Sequence, residues 1–143
     1  MNEQLKLKNQ LCFPLYACAK EVVRSYTPYL DPLGLTYTQY VAMMVLWEHH
    51  SIGVKELGEA LFLDSGTLTP MLKKMEQRGW LTRERSKDDE RRVVVTLTAK
   101  GEALQESAAE IPMRVSQCVS LGAEDMMQLH TLLHKLLKSF TNK

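Results

Sequence analysis

Cysteine is scarce: three residues, at positions 12, 18 and 118, are too few and too scattered for a disulfide framework. Their spacing fits no zinc motif, so neither a metal nor another cofactor is expected. No apolar run approaches the roughly 18–20 residues that span a bilayer, which argues against a membrane partner. The first ten residues, MNEQLKLKNQ, do not read as a signal peptide, because polar side chains interrupt every short apolar run. Internal repeats, low-complexity tracts and disordered linkers are also missing. A cytoplasmic, reducing location follows as the expectation.

Strong charge is lacking too, since the net value is only +1. Its distribution says more. Residues 1–72 carry −2, residues 73–92 carry +3 and residues 93–143 are balanced. The positive potential is thus concentrated in one short stretch, either as a solvated hairpin or as an electrostatic footprint for an anion. What is present is ordinary for a globular domain: 45% hydrophobic and 24% charged residues in a chain of 143, one domain in size.

A helical pattern runs from Leu11 to about Tyr29, with Leu15, Val22, Val23 and Tyr26 apolar among Lys20, Glu21 and Arg24. Its start is open. Pro14 can be the first helical residue, or Asn9 can cap an earlier start that leaves Pro14 inside. Either way Cys12 lies within about a turn of the helix N-terminus. Pro28, Asp31, Pro32 and Gly34 then break the chain. Thr36 and Gln39 have capping-box spacing and open a second helix to about His49. That helix is apolar nearly all round and is expected to be buried. His49 and His50 read as partners of its C-terminal dipole.

A short helix from Val54 to about Phe62 is followed within a few residues by LDSGTLTPMLKKMEQRG, Leu63 to Gly79. Asp64 or Ser65 can cap this second helix and Gly79 can close it in the left-handed region. Leu68, Met71, Leu72 and Met75 make its buried face. Ser65, Thr67, Thr69, Lys73, Lys74, Gln77 and Arg78 face outward. Pro70 predicts a local distortion or a start nearer Thr67. Two short helices joined this tightly, the second basic and amphipathic, form the helix-turn-helix pattern. Two alternating stretches, Trp80–Arg85 and Val93–Leu97, flank the charged KDDERR and predict an exposed β-hairpin, or wing. Thr98 can cap a helix running through to Val119, kinked or broken at Pro112. The last helix, Gly122 to about Phe140, has a wide apolar stripe: Met126, Leu129, Leu132, Leu133, Leu136, Leu137 and Phe140. A second copy of the chain would satisfy it best.

The predicted fold class is mainly α with a small β-hairpin (α+β): a winged helix-turn-helix at residues 52–98 within a single domain, 1–143. Residues 1–35 and 99–143 supply dimerisation helices on either side. This order of elements resembles the MarR family of bacterial transcription regulators. The segments LCFPLYACAKE, LTYTQYVAMMVLWE, LFLDSGTLTPMLKKMEQRG and DDERRVVVTLT are similar to its organic-hydroperoxide-sensing repressors, four matches in register over essentially the whole chain.

The resemblance implies a homodimer on a double-stranded operator with an inverted repeat. Each recognition helix would enter a major groove and each wing an adjacent minor groove. DNA contacts fall to Ser65, Thr67, Thr69, Lys73, Lys74 and Arg78. In the wing Asp89 would hold the loop while Arg91 enters the minor groove, with Arg92 a phosphate or solvent contact. Cys12 would be the peroxide-reactive thiol, since a thiolate attacks peroxide and a helix N-terminus favours the thiolate. Tyr26 and Tyr37 map onto the tyrosines that hydrogen-bond it. Cys118 of the other subunit stands near the place of a resolving cysteine, about a residue out of register; otherwise a low-molecular-weight thiol would cap oxidised Cys12. Pro14 departs from the usual small or aliphatic residue beside this cysteine. Cys18, six residues beyond Cys12, reads as packing.

The function so implied is a repressor released from DNA when an organic hydroperoxide oxidises Cys12, and not an enzyme. Three rivals stand beside it. A MarR-type repressor relieved by a phenolic ligand lacks any need for the Cys12, Tyr26 and Tyr37 constellation. A thiol peroxidase lacks a thioredoxin-like βαβ pattern or C-x-x-C motif and has no use for a wing. A metal site at His130 and His134 lacks a third ligand nearby.

Overall fold

A computed structural model describes residues 1–141. Apart from short 3-10 turns, its elements run α-α-β-α-α-β-β-α-α-α, in two compact units that meet in sequence at Ile111 and Pro112.

Helix α1 spans Cys12–Leu30 and α2 spans Tyr37–His49. The start of α1 matches neither alternative drawn from Pro14. Cys12 is the first helical residue and Pro14 the third, where the missing amide is one that would have no intrahelical partner anyway. Nor does Pro28 end the helix. It removes one amide from the last turn, but the next turn still closes through the Asp31 amide on the Thr27 carbonyl. Leu30, 2% exposed, anchors that turn in the core. Gly34, at φ 72°, ends a 3-10 turn over Asp31–Leu33 and redirects the chain into α2. The capping box forms as expected: Thr36 Oγ1 accepts the Gln39 amide at 3.1 Å, and Gln39 Oε1 accepts the Thr36 amide at 3.0 Å.

Only part of α2 is buried. Tyr40, Ala42, Met43 and Leu46 enter the core, while Met44 is exposed on the opposite side. Helix α3, Val54–Leu61, and helix α4, Ser65–Gln77, pack onto this core through Leu57, Leu68, Leu72 and Met75. Between α2 and α3 lies a strand with no sequence signal, β1, Ser51–Gly53. It pairs with β3, Val93–Leu97, which also pairs with β2, Leu81–Arg85, giving an antiparallel sheet in the order β1-β3-β2. The hairpin register runs from Leu81 opposite Leu97 to Arg85 opposite Val93. Alternation turns Leu81, Val95 and Leu97 inward.

Thr98 caps helix α5, Ala99–Ala108, by accepting the Gly101 amide at 3.1 Å. The helical stretch expected to run to Val119 is broken beside Pro112, as predicted, and ends earlier, at Ser116. Helix α5 stops at Ala108, and a separate helix α6, Ile111–Ser116, begins with Pro112 as its second residue. There the proline needs no amide partner. Cys118 therefore lies in a turn beyond α6, its amide on the Val115 carbonyl at 2.9 Å. Helix α7, Ala123–Thr141, buries no residue; Met127 and Leu132 are 71% and 62% exposed.

Candidate nucleic-acid interface and thiol site

Asp64 sets the start of α4. Its Oδ1 accepts the Thr67 amide at 2.8 Å, satisfying a donor that the helix itself cannot. Hydrogen bonding from the Thr67 side chain, and then from its amide, holds the Asp64 carboxyl below the usual aspartate range. The helix starts at Ser65, not near Thr67, and continues through Pro70. Pro70 has no amide for Gly66, one turn earlier, but both residues are exposed, so water can serve that carbonyl. Ser65, Thr67, Thr69, Lys73 and Lys74 all face solvent, opposite Leu68, Leu72 and Met75. Met71 is only half-buried.

The end of α4 is closed by Gly79 at φ 82°. Its amide donates to the Glu76 carbonyl at 2.9 Å and the Trp80 amide to the Met75 carbonyl at 3.1 Å, the Schellman arrangement. Arg78 is exposed like the two lysines, but its guanidinium also rests on a neighbouring ring. Its Cζ lies 4.6 Å from the centre of the Trp80 ring.

The wing is braced at base and tip. At the base, Glu76 of α4 accepts the Arg83 amide at 3.0 Å and its Nη2 and Nε at 3.1 and 3.3 Å. These bonds hold the Glu76 carboxyl below the usual glutamate range. Arg92, read from sequence as a phosphate or solvent contact, is exposed and also pairs with Glu56 of α3 at 3.5 Å. At the tip, Ser86 donates to the Arg92 carbonyl at 2.7 Å, and Arg85 Nη1 donates to the Glu90 carbonyl at 2.8 Å. Asp89 Oδ1 accepts the Arg91 amide at 3.0 Å, while the Arg91 side chain projects 97% exposed. Asp89 thus fixes the backbone of Arg91 and stands 3.8 Å from its Nε, so that one carboxylate orients an exposed guanidinium at the tip of the wing.

Cys12 is exposed, and its helix has no side-chain cap on the preceding residue, Leu11. As the first residue of α1 it lies at the positive end of the helix dipole. Tyr26 and Tyr37 come together, ring centres 4.9 Å apart. A third tyrosine missed from sequence, Tyr40, joins them at 5.6 and 6.3 Å and meets Trp47 edge-on. The signal was there: Tyr37 and Tyr40 are three apart on one helix and share a face. Burial, then neighbouring tyrosines, pushes the Tyr26 and Tyr40 hydroxyls above the usual tyrosine range.

Cys12 does not belong to that cluster within one chain. Cys12 and Tyr26 lie on the same continuous helix fourteen residues apart, a rise of about 21 Å. Cys18 is exposed rather than packed, as is most of α1. Its apolar face finds no cover in a single copy. Cys118 is also exposed. His130 and His134 stack with ring centres 4.1 Å apart, but no cluster of three or more metal-ligating side chains occurs among the described residues.

Comparison with known proteins gives a consistent set. Residues 24–107 match the family described as transcriptional regulator SarA/Rot. The organic hydroperoxide resistance transcriptional regulator of Bacillus subtilis strain 168 is 49% identical over 141 residues, covering 99% of this chain and 96% of that protein. Among solved structures, AbfR of Staphylococcus epidermidis is similar in three states. Reduced and bound to DNA it gives a TM-score of 0.79 at 37% identity, covering 99% of this chain and 100% of that one. Overoxidised and bound to DNA it gives 0.78 at 36%, covering 96% and 97%. Its disulfide form gives 0.66 at 37%, covering 94% and 95%.

Proposed function

From the premise that this chain belongs to the organic hydroperoxide resistance regulators, winged-helix proteins of the MarR and SarA/Rot type, we propose a redox-sensing, DNA-binding repressor acting in the cytoplasm as a homodimer. The observation that carries the reading is the position of Cys12: exposed, first in its helix, and about 21 Å along that helix from Tyr26. A second copy must bring its own Tyr26 and Tyr37 to Cys12, so the sensor is complete only in the dimer. That requirement matches the uncovered apolar faces of α1 and α7.

Residues 52–98 form the DNA-binding part, and residues 1–35 and 99–143 the dimerisation part. The reduced dimer presents two α4 helices to successive major grooves of an inverted repeat, half-sites about one helical turn apart. Ser65, Thr67 and Thr69 meet bases or phosphates at the helix start; Lys73 and Lys74 neutralise phosphates. Arg91, held by Asp89, enters the minor groove, where the negative potential of a narrow groove attracts a guanidinium. Arg78, already stacked on Trp80, is left out of this set.

Switching begins when the Cys12 thiolate attacks the outer oxygen of an organic hydroperoxide. The S–O bond forms, the O–O bond breaks, and the alcohol leaves with a proton, giving a sulfenic acid. The Cys118 thiol of the other copy then attacks that sulfur, forming the disulfide and releasing water. A low-molecular-weight thiol can do the same by mixed disulfide. AbfR is bound to DNA both reduced and overoxidised, and has also been solved as a disulfide. By analogy, release here belongs to the disulfide step, whose strict geometry supplies a large bias. Near-complete release needs about 5.5 kcal/mol in favour of the non-binding state.

The test is an operator gel shift with and without cumene hydroperoxide for wild type, Cys12→Ser and Cys118→Ser. Wild type should release DNA on oxidation and Cys12→Ser should not. Release by Cys12→Ser would remove the assignment.

A further inference from the structure

Arg78 sits where the recognition helix ends and reaches the turn between the two paired tyrosines. Its guanidinium lies 4.6 Å over the Trp80 ring, and Trp80 is itself 3% exposed. The same guanidinium fills the space where a Gly34 side chain would begin. A Cβ at Gly34 would collide with Nη2 and stand 3.1 Å from Cζ and Nη1. Gly34 is left-handed and closes the Asp31–Leu33 turn, its amide on the Asp31 carbonyl at 3.0 Å. That turn joins α1, which carries Tyr26, to α2, which carries Tyr37. One exposed cation therefore bridges the C-terminus of α4 and the turn that joins the tyrosine pair.

We infer that Arg78 is a positioning residue that couples the Tyr26–Tyr37 turn to the recognition helix, passing movement of the turn to α4. The inference rests on the redox-repressor reading. Arginine suits the part because its planar group stacks on an aromatic face while its edge packs against backbone; lysine keeps the charge but not the plate. Glycine suits the other side, because any side chain there would displace the guanidinium. A phosphate contact would make a different demand, for charge alone.

The test uses the full-length dimer, reduced and hydroperoxide-treated, with Arg78→Lys and Arg78→Gln compared to wild type. Operator Kd is measured across a salt series, Cys12 oxidation by intact mass, and folding by thermal unfolding. Arg78→Lys should keep the salt slope and the oxidation rate. It should narrow the ratio of oxidised to reduced Kd by about two- to fivefold per protomer, the worth of a cation–π contact. Gly34→Ala should narrow it too, and its effect should shrink in the Arg78→Gln background, where the collision is relieved. Should Arg78→Gln fail to fold, Trp80→Phe, which keeps the charge and reduces the platform, is read for the same narrowing. A wild-type ratio in Arg78→Lys, with Arg78→Gln lowering the salt slope by about 0.9 per protomer, overturns the inference in favour of a phosphate contact. A wild type that keeps its operator on oxidation overturns the redox reading and this inference with it.

Discussion

Glu76, on the last turn of α4, holds both the backbone amide and the guanidinium of Arg83 on β2, at 3.0 to 3.3 Å. Recognition helix and wing are thereby fixed to each other by one side chain. Because these bonds lower the folded carboxyl below its ordinary value of 4.5, the link adds stability above that pH and loses it as pH falls through the folded value. Glu76→Gln should therefore unfold at lower urea at pH 7. It should also lose part of the wild type's acid sensitivity below pH 4.5, as read by urea midpoints at pH 3, 4 and 7.

Asp64 behaves the same way at the other end of α4, its carboxyl lowered by Thr67. Asparagine can make the same cap without a charge. Asp64→Asn should keep the neutral-pH melting temperature closer to wild type than Asp64→Ala, with a flatter response to acid. Equal melting temperatures for the two variants would mean that the cap does not stabilise α4.

Arg91 projects from a loop that Asp89 fixes through the neighbouring amide. Arg91→Ala should weaken operator binding and flatten any preference for A·T-rich flanks. Asp89→Ala should do the same to a lesser degree. Lys73→Ala should instead weaken all sequences alike and lower the salt slope by about 0.9 per protomer. Fluorescence anisotropy on operators with altered flanks separates the two patterns.

Oxidation without reductant should join two 16.4 kDa chains into a species of about twice that mass. Cys118→Ser should abolish it on a non-reducing gel, and Cys18→Ser should not. A wild type that stays monomeric on that gel while gaining the mass of a small thiol would identify the mixed-disulfide route.

Leu132 stands 62% exposed on α7, a helix with no buried residue of its own. A charge there is costly only where a second copy covers it. Leu132→Asp should shift sedimentation toward monomer and weaken operator binding by more than tenfold, because one half-site loses its tethered neighbour.

Much of this was legible in the residues because the signals are local. The Thr36–Gln39 capping box, the Thr98 cap and the Gly79 stop each act within four residues, so spacing alone predicts them, and it narrows the α4 cap to Asp64 or Ser65, of which Asp64 serves. The hairpin is equally local, alternation on either side of a charged loop. The order of elements followed, and with it the winged helix-turn-helix.

Tertiary structure decided what depends on distant partners. Ser51–Gly53 has no strand pattern and becomes β1 because β3 offers it an open edge. Arg78 and Arg92 look like unpartnered cations in sequence, but tertiary structure gives each, still exposed, a neighbour in Trp80 and Glu56. Pro28 looks like a break, but core burial of Leu30 carries the helix past it. The sharpest case is Cys12 with Tyr26 and Tyr37. Sequence named the three residues, but only the continuity of α1 shows that helix geometry keeps the thiol about 21 Å from its own chain's Tyr26, so the proposed sensor calls for a second chain.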